Sequence, residues 1–509
     1  MLTPLLLALT LLFPAGATGP APEPAPVVAS SGKLAPLLQP LTEDRIFQDA
    51  IIGMQVVNTR TGEEVFAWQA DRPMQPASVT KLLTTAAALR NLGPAYRFGT
   101  DFLTDKGTEL TPEGVLKGNL YVRGHGDPTL VVEKLWKMVG DLQVAGVSTI
   151  EGNIYFDASF WDDPALIPGW DKDVDIQNGP SYFAPLSALS VNFNTACLVI
   201  APGAAQGQPA RVTLETPTPV IEIDNQLTTG REGSKRWIRV DRELLEDQIT
   251  VKFTLKGNIP LGTAIDREYR AVGDPMAHFI SVFRGVVAER GLKVKGRYLT
   301  APTPTDAWQL VHLDSPPLAQ ILADMNKHSS NFMAETVLRT LGAEVKGVPG
   351  NTTKGVAVVS EYLNAIGLPP DSYTLINGSG LSRNTTIPAS TITATILDMV
   401  NDPKVGPEFL SSLAIGGVDG TLWARFRDEP GRIRGKTGSL NGVFCLAGVV
   451  EAGDGDIYAF AVLANELDAS AWPVKRLLER FAASMVSLGT ATPVKEPEAD
   501  APPTDADGM

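Results

Sequence analysis

The chain of 509 residues has two cysteines, four histidines and 7% aromatic residues, and its 43 basic residues are outnumbered by 57 acidic ones. Each shortage removes a class of function. Two cysteines, Cys197 and Cys445, cannot build the disulfide framework of a small secreted module. A bond between them would need Cα atoms within about 7 Å, and Cys445 belongs to an apolar strand pattern remote from Cys197. Both are expected to be free, one of them buried. His125, His278, His312 and His328 form no His-Glu-x-x-His pattern or other paired ligand spacing, so no metal is expected and they read as surface or loop residues. A net charge of −14 opposes nucleic-acid binding, which wants a basic face. Long apolar runs are missing too. Leu2 to Phe13 is too short to span a bilayer and, with Ala15-Gly16-Ala17, reads as a signal peptide over 1–17. The protein is therefore expected to be exported, to a periplasm or wall space, without a transmembrane anchor. No cofactor is expected.

What the chain does contain is three short motifs in order: Ser78-Val79-Thr80-Lys81, Ser329-Ser330-Asn331 and Lys436-Thr437-Gly438. Each spelling has decoys, including Ser30-Ser31-Gly32-Lys33, Ser190-Val191-Asn192 and Arg60-Thr61-Gly62. Context selects among them. Gln75-Pro76-Ala77 leads into a run apolar nearly all round, Leu82, Leu83, Ala86, Ala87 and Leu89, which Gly93-Pro94 ends. That pattern predicts a buried helix presenting Ser78 and Lys81 one turn apart at its N-terminal end. Ser329 to Asn331 falls between the amphipathic run beginning at Leu318 and a second helical run, Met333 to Leu341. The third motif lies in a predicted β-hairpin, Arg432 to Gly438 followed by Val443 to Val450, with its turn at Leu440-Asn441-Gly442.

These residue types suit acyl transfer. A serine hydroxyl needs an adjacent base, and Lys81 can serve if burial and the second cation Lys436 keep it neutral. Ser329 can pass a proton to a leaving amine, and Asn331 can hold a peptide. Lys436 and Thr437 suit a carboxylate, Gly438 lets a ligand backbone approach closely, and the backbone N–H groups of Ser78 and Ser439 can form an oxyanion hole.

The three motifs resemble those of the class C low-molecular-mass penicillin-binding proteins, the D-alanyl-D-alanine carboxypeptidase/endopeptidase family. The resemblance extends over Gly124-His125-Gly126-Asp127-Pro128-Thr129-Leu130, Ser315-Pro316-Pro317-Leu318, Gly378-Ser379-Gly380-Leu381-Ser382-Arg383 and Gly417-Val418-Asp419-Gly420-Thr421-Leu422. It implies an α+β multidomain chain: a penicillin-recognising transpeptidase/β-lactamase-like domain, with helices on an antiparallel five-stranded sheet, carrying two inserted β-rich domains. The gap of roughly 250 residues between Lys81 and Ser329 leaves room for them. The expected division is a Pro/Ala-rich leader over 18–38, a catalytic domain over 39–94 plus 305–488, a first insert over 95–196 plus 263–304, a nested insert over 197–262, and an acidic tail over 489–509.

The resemblance further implies hydrolysis of D-Ala-D-Ala bonds in peptidoglycan stem peptides through a Ser78 acyl-enzyme, and acylation by β-lactams. A stem-peptide side-chain pocket is implied at Ser379, Leu381 and Arg383 with Trp170, Asp173 and Tyr182, where Asp175 competes with Asp173. Asn377 and His125 depart from the family's usual Asp and Gly. A β-lactamase-like hydrolase and a non-catalytic wall-binding module are the alternative classes. The former lacks an evident glutamate for fast deacylation, and the latter has no need of an intact Ser78, Lys81 and Lys436.

Overall fold

The computed structural model describes residues 34–45, 50–167, 179–467 and 471–487. The signal segment, nearly all of the leader and the acidic tail lie outside them. Six strands form one antiparallel sheet in the order Ala414–Ile415, Ile433–Leu440, Val443–Glu451, Ile457–Asn465, Ile51–Asn58 and Glu64–Trp68. Five of these match the expected sheet. The sixth is a two-residue edge strand too short to leave a periodic signal.

Val443–Glu451 shows why its sequence is apolar at nearly every position. Val443, Cys445, Ala447 and Val449 pack into one core with Leu82, Leu322, Val337 and Ile392. Phe444, Leu446 and Val450, pointing the other way, pack with Leu38, Val474, Leu477 and Phe481. Helices cover both faces, so both side-chain sets are buried. The helix Lys81–Asn91 threads the first core with every residue from Lys81 to Leu89 buried.

The remaining strands come from the long gap between the first two motifs. A five-stranded sheet has the order Tyr298–Thr300, Ile154–Asp157, Leu120–Gly124, Gly99–Thr104 and Trp308–Asp314. Val132–Val144 and Pro275–Glu289 pack on it through Leu135, Met138, Phe279 and Phe283. Two three-stranded sheets, Ile221–Gly230 with Val251–Pro260 and Trp237–Leu244, and Asp266–Ala271 with Thr195–Ala201 and Arg211–Leu214, share a further core around Leu198, Phe253 and Leu255.

Pairing places three strands differently from the expected division. Trp308–Asp314, expected in the catalytic part, pairs antiparallel with Gly99–Thr104. Asp266–Ala271 and Thr195–Ala201, expected partly outside the nested segment, pair with each other. Alternation marks a strand, but only its hydrogen-bonded neighbour assigns it to a sheet.

Two minor expectations are corrected. Cys197 and Cys445 are free, but both are buried. His278 is 2% exposed on the amphipathic helix Pro275–Glu289, where burial pushes its imidazole down to about 4, and His125 and His312 both contact Asp101. Of these, His278 alone departs from the expected surface or loop placement, since His312 is exposed and His125 lies in a loop. Among the described residues no helix is long and apolar enough to cross a membrane.

Candidate active site

Ser78 lies in a single 3-10 turn, Ala77–Thr80, that runs directly into the helix Lys81–Asn91. Ala77 before it adopts the left-handed region at φ 47°, a conformation unusual for a residue with a Cβ. Two glycines press on this turn. A Cβ on Gly380 would lie 1.9 Å from the Ala77 carbonyl oxygen, and one on Gly438 would lie 2.5 Å from that of Pro76. Gly438 therefore makes room for the protein's own Ser78 turn. Asn465, at the end of its strand, receives the Gln75 N–H at 2.7 Å and donates to the Gln75 carbonyl at 3.0 Å, pinning the approach to Ser78.

Lys81 is completely buried. Its Nζ lies 2.8 Å from Ser78 Oγ, 2.7 Å from Asn331 Oδ1 and 3.0 Å from the Ser379 carbonyl oxygen. The Asn331 amide is oriented by its other end, where Nδ2 donates to the Tyr182 carbonyl at 3.1 Å, so its oxygen faces the amine. Two of the three neighbours of Lys81 can only accept. A neutral amine offers two N–H bonds and one lone pair, and with both bonds taken by Asn331 and Ser379 the lone pair faces the Ser78 hydroxyl. Burial, reinforced by Lys436, pushes Lys81 well below the usual lysine range.

The second motif lies between the helices Leu318–Lys327 and Asn331–Lys346. Ser329 is left-handed at φ 57°, and Ser330 caps the second helix by accepting the Met333 N–H. Lys436, also completely buried, donates to Ser329 Oγ at 2.9 Å and to its neighbour's carbonyl, that of Thr437, at 2.8 Å. Burial pushes its amine down to about 7. Thr437 Oγ1 meets Thr421 Oγ1 at 3.0 Å. Lys327 pairs with Asp419 at 2.6 Å, holding the 417–422 loop beside the Lys436 strand. Ser78, Ser329 and Thr437 are each partly open and Ser439 is exposed. The hydroxyls thus line an accessible face with the two lysines buried behind it.

The side-chain pocket residues are less uniformly placed. Ser379 is wholly buried and contributes its carbonyl to Lys81, which corrects its reading as a substrate contact. Leu381 packs on an apolar cluster that includes Phe183 and Phe332. Tyr182 is 47% exposed beside that cluster. Arg383 donates to the Asn441 carbonyl at 3.0 Å and borders a 340 Å³ cavity with Gln75, Asn465 and Glu466. Trp170, Asp173 and Asp175 lie outside the described residues.

Four groups that hold the site, Glu335, Thr421, Asp419 and Asn465, were not predicted. Glu335 left a trace in the sequence, as a carboxylate inside the apolar run Met333 to Leu341, four residues after Asn331. Asn465 left none, because its partner is a backbone segment 390 residues away. Among the described residues no group of three or more His, Cys, Asp or Glu side chains could hold a metal ion.

Comparison with known proteins bears on the whole assembly. The model of the D-Ala-D-Ala carboxypeptidase 3 (S13) family matches residues 34–483. The chain is 32% identical over 462 residues to a D-alanyl-D-alanine carboxypeptidase of an Actinomadura species, covering 87% of this chain and 83% of that protein. It is 24% identical over 425 residues to the D-alanyl-D-alanine carboxypeptidase DacB of Haemophilus influenzae, covering 81% of this chain and 85% of that one. Its fold is similar to the crystal structure of penicillin binding protein 4 from the same organism, with TM-score 0.74, 22% identity, and coverage of 87% of this chain and 97% of that one.

Proposed function

The chain belongs to the D-Ala-D-Ala carboxypeptidase 3 (S13) family, and from that premise we propose that Ser78 is its acylating serine, working on peptidoglycan stem peptides in an exported compartment. The observation that carries this is the convergence of two lysine–serine pairs from separate elements, Lys81 with Ser78 at 2.8 Å and Lys436 with Ser329 at 2.9 Å.

In this reading Ser78 Oγ bonds to the carbonyl carbon of the D-Ala-D-X peptide while its proton passes to the Lys81 lone pair. The developing oxyanion is met by the Ser78 and Ser439 N–H groups. Collapse breaks the C–N bond, and the leaving amine takes a proton through Ser329, supplied from the lysine side. The substrate carboxylate sits against Lys436 and Thr437. Water then attacks the acyl-enzyme and returns Ser78. Asn331 holds Lys81 through its oxygen and the Tyr182 carbonyl through one N–H, which leaves its second N–H for the stem peptide. The side-chain pocket would then be bounded by Leu381, Tyr182 and Arg383.

The same reading divides the chain into a catalytic unit and two inserts, and the pairing with Gly99–Thr104 supports counting Trp308–Asp314 with the first insert. Glu335 has its two oxygens occupied by the Gly378 and Ser379 N–H groups, so it is not free to activate a deacylating water. That favours slow release of a β-lactam and argues against a β-lactamase.

The test is mass spectrometry after exposure to penicillin G. One covalent adduct on Ser78 is expected, absent in Ser78→Ala. An unmodified wild-type protein would overturn the assignment, and rapid turnover of nitrocefin would favour the β-lactamase class.

A further inference from the structure

The helix Asn331–Lys346 carries three polar side chains on one stripe, Asn331, Glu335 and Arg339, at intervals of four. All are buried, with Glu335 0% and Arg339 1% exposed. The first touches Lys81 directly. The second does not touch it, yet lies one peptide unit away: Glu335 accepts the Gly378 N–H at 3.1 Å and the Ser379 N–H at 2.8 Å, and the carbonyl of Ser379 is the oxygen that receives Lys81. The third closes the stripe. Arg339 lies 3.3 Å from Asp163 and donates to the Pro164 carbonyl at 2.9 Å, so a buried cation stands one helical turn from Glu335.

A carboxylate taken completely out of water is costly to keep unless it is compensated, and this position is not needed to satisfy the helix. What Glu335 does satisfy is a loop. Residues 377–380 cross between the Asn331 helix and the nucleophile turn with no room on either side: a Cβ on Gly378 would meet the Ala334 carbonyl at 2.9 Å, and one on Gly380 the Ala77 carbonyl at 1.9 Å. Thr84 donates to the Gly378 carbonyl at 2.9 Å, and Asn377 receives the Gly380 N–H at 3.0 Å. Asn377 thereby holds the Ser379–Gly380 peptide, the unit to which the Ser379 carbonyl belongs, while the two peptides before it, whose N–H groups are those of Gly378 and Ser379, are held by Glu335.

We propose that Glu335 is a positioning residue for acylation: its two carboxylate oxygens hold the Gly378 and Ser379 N–H groups and so anchor the loop, next to the Asn377 clamp on Gly380, in the place from which the Ser379 carbonyl takes one Lys81 N–H and leaves the amine lone pair facing Ser78. The inference rests on Ser78 and Lys81 being the acylating pair. It gives Glu335 a second consequence, because its charge raises the proton affinity of Lys81 and opposes the effects of burial and Lys436. Glu335 itself is pushed up by burial, against the N–H groups it accepts and the nearby Arg339.

The two roles are separable by substitution. Glu335→Gln keeps the shape, removes the charge, and presents an NH2 where one of the two N–H donors needs an acceptor. Glu335→Asp keeps the charge and shortens the reach. The measurement is the rate of acylation by a fluorescent penicillin from pH 5 to pH 10, expressed per folded molecule, beside a melting curve. For Glu335→Gln the plateau rate is expected to fall about 10- to 100-fold, with the acid limb displaced to lower pH because Lys81 gives up its proton more readily. For Glu335→Asp the plateau is expected to fall while the acid limb stays in place.

A residue that merely supports the fold would lower the melting temperature without moving plateau or limb. Folded Glu335→Gln with wild-type plateau and limb overturns the proposal. Should Glu335→Gln not fold, a wild-type plateau in Glu335→Asp overturns it equally. Wild-type protein that is never acylated on Ser78 would instead overturn the assignment of the nucleophile, which is a different result.

Discussion

At the nucleophile, Lys81 and Lys436 are fully buried with only neutral oxygens as direct hydrogen-bond partners among the described residues. In the five-stranded sheet of the insert, the buried Asp101 is met by Arg123 at 2.9 Å, His312 at 2.7 Å and His125 at 3.3 Å. Arg123 and His312 stand directly opposite Asp101 on the two neighbouring strands, so the cluster is a set of cross-strand pairs. Both regions bury charge, but they handle it in opposite ways. The insert supplies counter-charge, and burial of Asp101, which alone would raise its carboxyl, is outweighed by His125, His312 and Arg123, so it is held well below the usual range. The active site keeps counter-charge out of direct contact, and burial and Lys436 outweigh the more distant Glu335 at Lys81, so its lysines are pushed toward neutrality. A compensated buried charge contributes to structure, whereas an uncompensated one becomes a base.

The sharpest way to break this contrast is to delete one charge from each region. Lys81→Met is expected to leave a folded protein whose acylation by penicillin has dropped at least about 10³-fold. Asp101→Asn is expected to acylate at close to the wild-type rate while losing about 2 kcal/mol of stability. Rate measurements and denaturant melts of both proteins check this. A large rate defect in Asp101→Asn would remove the distinction.

The next effect is a basic limb. With its amine pushed down to about 7, Lys436 loses its positive charge as pH rises through that value, and with it the attraction for a substrate carboxylate. For a peptide ending in free D-alanine, kcat/KM is expected to decline above about pH 7, within the usual tenfold per unit limit of a single titration. A peptide amidated at that carboxylate should lack the decline. Superimposable profiles for the two peptides would show that Lys436 does not read the carboxylate.

The smallest effect lies in the insert. His312 has its affinity for protons raised, chiefly by its hydrogen bond to Asp101. A group with a raised folded value contributes stability that is complete below its unfolded value, about 6.5 for histidine, and that fades as pH rises through the folded one. The melting-temperature difference between wild type and His312→Gln should therefore be largest near pH 6 and narrow by pH 9. His312 is substantially open to solvent, so the difference should be modest. A gap that widens with pH would contradict the pairing.

The motifs and their local settings were legible in the sequence because they depend on short-range rules. A helix apolar on every side has to be buried, which located Lys81. A hairpin turn followed by a continuous apolar strand has to be covered on both faces, which located Lys436. Other features depended on pairing across long separations. Trp308–Asp314 alternates like any half-buried strand, and nothing in its pattern names Gly99–Thr104 as its neighbour. The family resemblance implied a pocket side chain at Ser379, but in the fold its side chain is enclosed and its carbonyl is what meets Lys81. Gly438 needed to be small, as expected, although the backbone that approaches it is Pro76–Ala77.

By itself, then, the amino-acid order determined which groups are proposed to carry the chemistry: a serine and lysine one helical turn apart, a second serine with its asparagine at a helix junction, and a lysine–threonine pair on a strand. These follow from periodicity, capping and turn chemistry, each set within a few residues. The tertiary structure decided their protonation and aim. Lys81 can act as a base only where burial removes water from its amine, Asn331 arrives from 250 residues away, and Glu335 and Asn377 hold the loop that brings the Ser379 carbonyl to its remaining side. Local sequence can place an amine on a helix, but the direction of its lone pair is settled by acceptors that reach it only through the folded core.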